Sequence, residues 1–202
     1  MVANLGYSLS RLLIGYGLAV GFGVVFGALM AQCSILREMF KPILTALMSV
    51  PTLAWVPILL IFIGLGEGTV IAAVFLGAFF VIAHQVEQGI RMVPTQQIRA
   101  ARTLGLRGPR LFLAVLLPGA MGSILSGLRL GMAYAWRALV GGEMLAALIT
   151  TGVGKAIYQA RFWNDTQTML LGLLVIALCG MAMDQGIGFI EGTTVKRWGM
   201  VR

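Results

Sequence analysis

The chain has 202 residues, of which 59% are hydrophobic and 11% charged, with a mean hydropathy of +0.93. Soluble domains carry roughly 25% charged residues, so this composition excludes a soluble globular protein and indicates an integral membrane protein with several spans. The net charge of +8 would suggest nucleic acid in a soluble chain; here the bases sit in short connections between apolar runs, where they act as topology determinants and headgroup contacts, and no nucleic-acid partner is expected.

Five spans are predicted, forming one membrane domain over residues 1–202. The first covers about Leu12 to Met30, long enough at ~1.5 Å per residue to cross a ~30 Å hydrocarbon layer. It is too long for a cleavable signal and lacks a small-residue cleavage pattern. Gly15, Ala19, Gly23 and Gly27 recur every fourth residue, with Gly17 and Gly21 as a second pair. Small residues at that spacing let helix backbones approach closely. A polar break is expected from Gln32 to Lys41, holding Arg37, Glu38 and Lys41.

The second span is predicted over Ile43 to Leu65, broken near Pro51, because proline removes a backbone donor and clashes with the preceding turn. Pro57 lies inside the same run. Unwound backbone at membrane depth is tolerated where it is buried in protein or lines a watery cavity. Pro51 and Pro57 therefore mark either a pathway wall or a simple kink, and both readings stand. Gly66-Glu67-Gly68 is expected as a tight turn. The third span runs from Thr69 to about His84 and continues as an amphipathic tail to Met92. His84, the sole histidine, sits near a span end, where a hydrogen-bonded structural role is more common than proton relay.

The stretch Arg99 to Pro118 carries Arg99, Arg102, Arg107 and Arg110 and no acid. Gln96 to Leu104 is rich in helix formers, Gly105 interrupts, and a second short helix is expected over Pro109 to Leu117. Such an elbow on the face of a membrane protein is suited to docking a soluble partner. The fourth span is predicted from Gly122 to Leu148, with Gly127, Gly131 and Ala135 as another small-residue stripe. A polar connection, Thr150 to Asp165, precedes the fifth span over Thr168 to Ile190. The tail, Lys196-Arg197-Trp198 to Arg202, is basic with an interfacial tryptophan.

With the arginine-rich stretch placed inside, Arg37, Lys41, Arg91, Arg99, Arg102, Arg107, Arg110, Lys196, Arg197 and Arg202 are cytoplasmic; Arg11, Lys155 and Arg161 are outside. Ten bases against three is a marked positive-inside bias. It puts the N-terminus outside and the C-terminus in the cytoplasm.

The Arg99–Pro118 stretch resembles the cytoplasmic coupling loop, or EAA loop, of ABC-importer permeases. That family's pattern is Glu-Ala-Ala, three residues, Gly, nine residues, Ile, one residue, Leu-Pro. Ala100 and Ala101 hold the alanine positions, Gly105 falls at the required spacing, Val115 takes the Ile place, and Leu117-Pro118 close the motif. Arg99 stands where the family has Glu, so any salt bridge made by that Glu does not carry over. Ser8-Leu9-Ser10-Arg11, Pro51-Thr52-Leu53-Ala54-Trp55-Val56-Pro57, Gly64-Leu65-Gly66-Glu67, Trp136-Arg137-Ala138-Leu139-Val140 and Glu143-Met144 are similar to the nitrate, sulfonate, taurine and bicarbonate branch. Members of that branch usually carry one more N-terminal span; the five spans here equal the minimal core of small permeases. The resemblance implies an all-α, type I importer permease with a coupling loop at about 92–118. The implied partners are an ATP-binding cassette subunit, an extracytoplasmic solute-binding protein, a second permease copy and the lipid bilayer. The implied location is a bacterial inner membrane.

Charges within the spans are costly and need partners or water. Arg129 and Asp184 could pair, or Arg129 could snorkel to the surface. Arg137, beside Trp136, admits two readings: a guanidinium fork for a carboxylate, sulfonate or nitrate in transit, or a structural pair with Glu143, for which a dimer mate is a candidate source because six positions on one helix point to different faces. The candidate pathway set is therefore Pro51, Pro57, Trp136, Arg137 and Glu143.

No catalytic constellation is present. Gly154-Lys155 is followed by Ala156 without the upstream glycine of a phosphate loop, so this chain is not expected to bind ATP as a P-loop protein; the resemblance implies ATP on a partner subunit, and no cofactor is expected on this chain. Cys33, at a span end, and Cys179, inside a span, suggest neither disulfide nor metal site. The resemblance implies transport coupled to a separate ATPase, of a small anion such as a sulfonate, nitrate or carboxylate. The alternative is an ion-gradient-driven secondary transporter or channel, which would need no ATPase.

Overall fold

The computed structural model describes residues 2–146 and 151–197, and every regular element among them is helical. In chain order these are α1 (Val2–Gln32), α2 (Ser34–Ser49), α3 (Thr52–Ile63), α4 (Glu67–Arg91), α5 (Thr95–Thr103), α6 (Gly108–Leu111), a π-helical turn (Phe112–Leu116), α7 (Leu117–Gly119), α8 (Met121–Leu145), α9 (Val153–Phe162) and α10 (Thr166–Arg197). The expected end of the fourth span at Leu148 and the basic tail from Trp198 to Arg202 lie outside the described residues.

Helix α4 is the centre, with α1 and α8 packed on it. The small-residue stripes explain how. A Cβ at Gly15 would stand 2.8 Å from the Ile71 carbonyl, and one at Gly27 2.4 Å from the Ala83 carbonyl. The α1 register thus runs parallel to α4, backbone against backbone. Gly127 meets Gln85 and Gly131 meets Ile82, so α8 runs antiparallel to α4 on the second stripe. Val70, Val74, Ala78, Ile82 and Val86 fill the seams and are almost wholly buried. Gly17 and Gly21 have nothing within 4 Å of an added Cβ, so the second pair on α1 faces away from the bundle.

The predicted polar break from Gln32 to Lys41 is shorter than expected. Only Cys33 interrupts the helix, and α2 carries Arg37, Glu38 and Lys41 within it. Lys41 is anchored there by the fully buried Glu87 carboxylate of α4 at 3.2 Å, which also pairs with Arg91 at 3.6 Å. The break before Pro51 occurs where expected: α2 and α3 meet at 102°. Thr52 lies against Gly77, midway along α4. Helix α4 begins at Glu67, so the expected tight turn reduces to Gly64–Gly66, with Gly64 at φ +87°.

One correction concerns the connection after the fourth span. Residues 153–162, expected as a polar link, form α9. Val153, Ile157 and Ala160 recur at helical spacing and are buried. Helix α10 begins after Asp165, whose carboxylate accepts the Thr168 N–H at 3.0 Å and the Thr168 hydroxyl at 2.5 Å. Those two bonds hold the Asp165 carboxyl below its usual range.

Candidate functional site

The elbow between α4 and α8 is built by its glycine. Helix α5 ends in a Schellman motif: Leu106 N–H reaches the Ala101 carbonyl (3.1 Å) and Gly105 N–H reaches the Arg102 carbonyl (3.0 Å). That turn needs a left-handed residue, and Gly105 has φ +83°. Nothing lies within 4 Å of an added Cβ there, so glycine is required by conformation and not by crowding. Ala101 packs inward at 5% exposure, while Arg99 and Ala100 face out. Leu104, at 82% exposure, crowns the turn.

The return limb is helical from Gly108 to Gly119 except for one wide turn. Pro118 has no N–H to offer Ala114, and its ring crowds that carbonyl. The ladder widens to a π turn, with Leu117 N–H bonding Phe112 O. Val115, Leu117 and Pro118 are half-buried on this limb, which then bends by 64° into α8. Residues expected to form the elbow are thus brought together.

Of the candidate pathway residues, only Trp136 and Arg137 share a site. Pro51 caps α3 and Pro57 lies within it, both exposed on the side away from the core. Trp136 is buried on α8, and its indole N–H donates to the Ile176 carbonyl of α10 at 3.2 Å. Arg137 is exposed, with its guanidinium carbon 5.5 Å from the centre of the Tyr134 ring. A cavity of about 510 Å³ opens between α8 and α10, walled by Trp136, Arg137, Met132, Met181 and the Arg129–Asp184 pair. That pair is bidentate, at 2.7 and 2.6 Å, as the sequence allowed. Glu191 adds a second partner to Arg129 at 3.4 Å.

Glu143 and Arg137 do not pair within the chain. Six positions on a helix set the two side chains about 120° apart around its axis. Glu143 points into the protein, fully buried, while Arg137 points out. Its carboxylate accepts from Ser8 Oγ (2.7 Å), Arg11 (3.0 Å) and the Gly154 N–H (3.0 Å). Arg11, 2% exposed, also bonds Glu67 at 2.8 Å and the Thr151 carbonyl. This cluster ties α1, α4, α8 and the start of α9 at one end of the bundle, and the residue-type reading missed it. The available signal was Arg11 itself, an arginine set beside the first apolar run with no acid nearby in sequence.

His84 bonds Gln88 one turn on, at 2.9 Å, a structural contact as expected. Cys33 and Cys179 are both free thiols. Among the described residues no group of His, Cys, Asp and Glu could hold a metal.

Residues 23–192 match the family described as binding-protein-dependent transport system inner membrane component. A putative ABC transporter permease of Methanocaldococcus jannaschii is 34% identical over 95% of this chain and 71% of its own length. The taurine transport system permease protein of Escherichia coli K12 is 34% identical over 93% of this chain and 68% of its own. The nitrate import permease protein of a Synechocystis strain is 29% identical over 93% of this chain and 68% of its own. In fold, a chain of the MetNI methionine ABC transporter superposes with a TM-score of 0.82 at 19% identity, covering 96% of this chain and 95% of that one.

Proposed function

The chain belongs to the binding-protein-dependent transport system inner membrane components, a multi-pass permease with the type I importer fold, and from this we propose the finer reading: it forms the solute path of an ATP-driven importer and takes its driving motion through the α5–Gly105–α6 elbow. The observation that supports this most is the elbow itself. Arg99, Ala100 and Leu104 stand exposed, on a turn that only glycine adopts without strain. A soluble ATPase on that side grips the elbow, and ATP-driven closure of its two copies rocks the bundle between inward and outward opening. ATP stays on that partner, and this chain needs no cofactor.

The remaining partners follow from the family: a second copy of the chain and an external solute-binding protein. The N-terminus lies outside and the C-terminus in the cytoplasm. The solute is a small anion, a reading supported by the taurine, nitrate and sulfonate names of the relatives. The exposed Arg137, beside the α8–α10 cavity, is the guanidinium placed to meet such an anion. Pro51 stands at the break between α2 and α3, next to the cleft at Val50–Thr52 that Tyr134 also lines, while Pro57 lies within α3.

The test is uptake of radiolabelled taurine, nitrate and an alkylsulfonate in cells bearing wild type or Gly105→Glu. Wild type should lose uptake on ATP depletion, and Gly105→Glu should insert normally yet transport nothing. Uptake that survives ATP depletion and follows an ion gradient would instead establish a secondary transporter; normal uptake by Gly105→Glu would remove the elbow from the mechanism.

A further inference from the structure

Among the described residues the bases differ in whether a carboxylate neutralises them, and Arg137, Lys155 and Arg161 enter no ion pair. Five others have carboxylate partners: Arg11 with Glu67 and Glu143, Arg37 with Glu38, Lys41 and Arg91 with Glu87, and Arg129 with Asp184 and Glu191. The elbow's four arginines have none. Arg99, Arg102, Arg107 and Arg110 are all exposed and enter no ion pair among the described residues. From Met92 to Gly142 the sequence holds no acid that could reach back to them.

Arg99 and Arg102 lie three apart on α5, where like charges face one another and repel. Ala100 and Leu104, four apart, form an exposed apolar ridge along the same helix. Alanine at the contact lets another backbone approach closely, a property that suits a shaped protein socket and that fluid lipid headgroups do not need. Guanidinium groups at a rim prefer planar carboxylates, which they can bind with two parallel hydrogen bonds.

We propose that the socket receiving this elbow is acid-lined: carboxylates of the soluble ATPase ring an apolar floor that takes Ala100 and Leu104, and pair with Arg99 and Arg102 at its rim. This rests on the reading of the elbow as the ATPase contact and adds its chemistry. Arg99 and Arg102 then select an ATPase whose socket rim is acidic and disfavour one whose rim is basic.

The test uses the full chain, tagged and gently extracted from its native membranes, with the retained Walker-motif ATPase identified and quantified. Wild type, Arg99→Gln, Arg99→Glu and Arg102→Glu are compared, with monodisperse size-exclusion profiles as the folding control. Arg99→Glu should retain at least about tenfold less ATPase than wild type, with Arg99→Gln between them. Wild-type retention should fall as salt rises from about 50 to about 500 mM, because screening weakens exposed charge contacts. Arg99→Lys treated with a carbodiimide should form a zero-length cross-link to an ATPase carboxylate that wild type does not form.

Equal or greater retention by Arg99→Glu would show a neutral or basic socket and overturn the proposal, leaving the importer reading intact. Unchanged retention, together with an elbow shielded from protease in anionic but not zwitterionic vesicles, would assign the arginines to lipid headgroups and overturn it too. No ATPase with wild type at any salt would take down the importer reading itself, and this proposal with it.

Discussion

Glu143 and Arg11 show how one buried charge is made tolerable. A carboxylate at zero exposure would be prohibitive alone; here it accepts three hydrogen bonds, and its cation is itself held by Glu67 and the Thr151 carbonyl. Replacing one partner strands the other. Glu143→Ala should lower unfolding stability in detergent by about 3–5 kcal/mol, read as a large drop in thermal aggregation temperature. Glu67→Ala, at the solvent-facing side of Arg11 and 64% exposed, should change it by under about 1 kcal/mol. Similar losses from both variants would mean that the cluster is not a buried lock. These partners escape sequence reasoning because Arg11 and Glu143 stand 132 positions apart, and no periodicity links them. Arg129 and Asp184 were legible because the predicted bounds put both in the inner halves of the later spans, where opposite charges need each other. Gly105 was legible for a different reason: a turn after nine helical residues with Leu106 returning on Ala101 has no other inexpensive residue.

At the scale of elements, the small-residue stripes decided the packing. Glycine recurring every fourth residue is readable because it appears on one face of a helix, and the structure lays that face on α4. What periodicity could not tell was which of the two stripes on α1 would be used. Substitution should separate them. At Gly27, alanine would drive a methyl to 2.4 Å from the Ala83 carbonyl, a backbone atom that cannot swing aside; Gly27→Ala should cost about 1–3 kcal/mol. Gly21→Ala meets nothing within 4 Å and should stay within about 0.5 kcal/mol of wild type. Thermal unfolding of the two in the same detergent makes the comparison, and equal effects would contradict the α1–α4 seam. Helix α9 was hidden by composition: its exposed polar residues outvote three buried apolar ones at 153, 157 and 160. The π turn before α8 was likewise unreadable, although Pro118, its cause, was in plain view.

At the scale of the whole molecule, three helices are long and apolar enough to cross a membrane, five if each bent pair is one span, and side-chain pairs support five. Arg11 of α1 and Glu67 at the start of α4 meet at one end; Lys41 of α2 and Glu87 near the end of α4 meet at the other. About 20 helical residues separate the two levels, or roughly 30 Å. The segment from Lys41 to Glu67 must climb that distance, so α2 and α3, though set at 102°, together form a broken span and not a re-entrant loop. Helix α8 rises back to Glu143 beside Arg11, and α10 descends past it, pairing Ile176 with Trp136 and then Asp184 with Arg129. Five crossings result, with the start of α1 and the end of α10 on opposite sides and the elbow on the α10-end side. Which side is cytoplasmic rests on charge, and cysteine labelling tests it. In a chain with Cys33 and Cys179 replaced by alanine, Trp163→Cys, 84% exposed beyond α9, should react with an impermeant maleimide in intact cells. Leu104→Cys, at 82% exposure on the elbow, should react only after permeabilisation. The reverse pattern would place the four unpaired arginines outside, away from any ATPase, and the positive-inside bias would then have been read with the wrong sign.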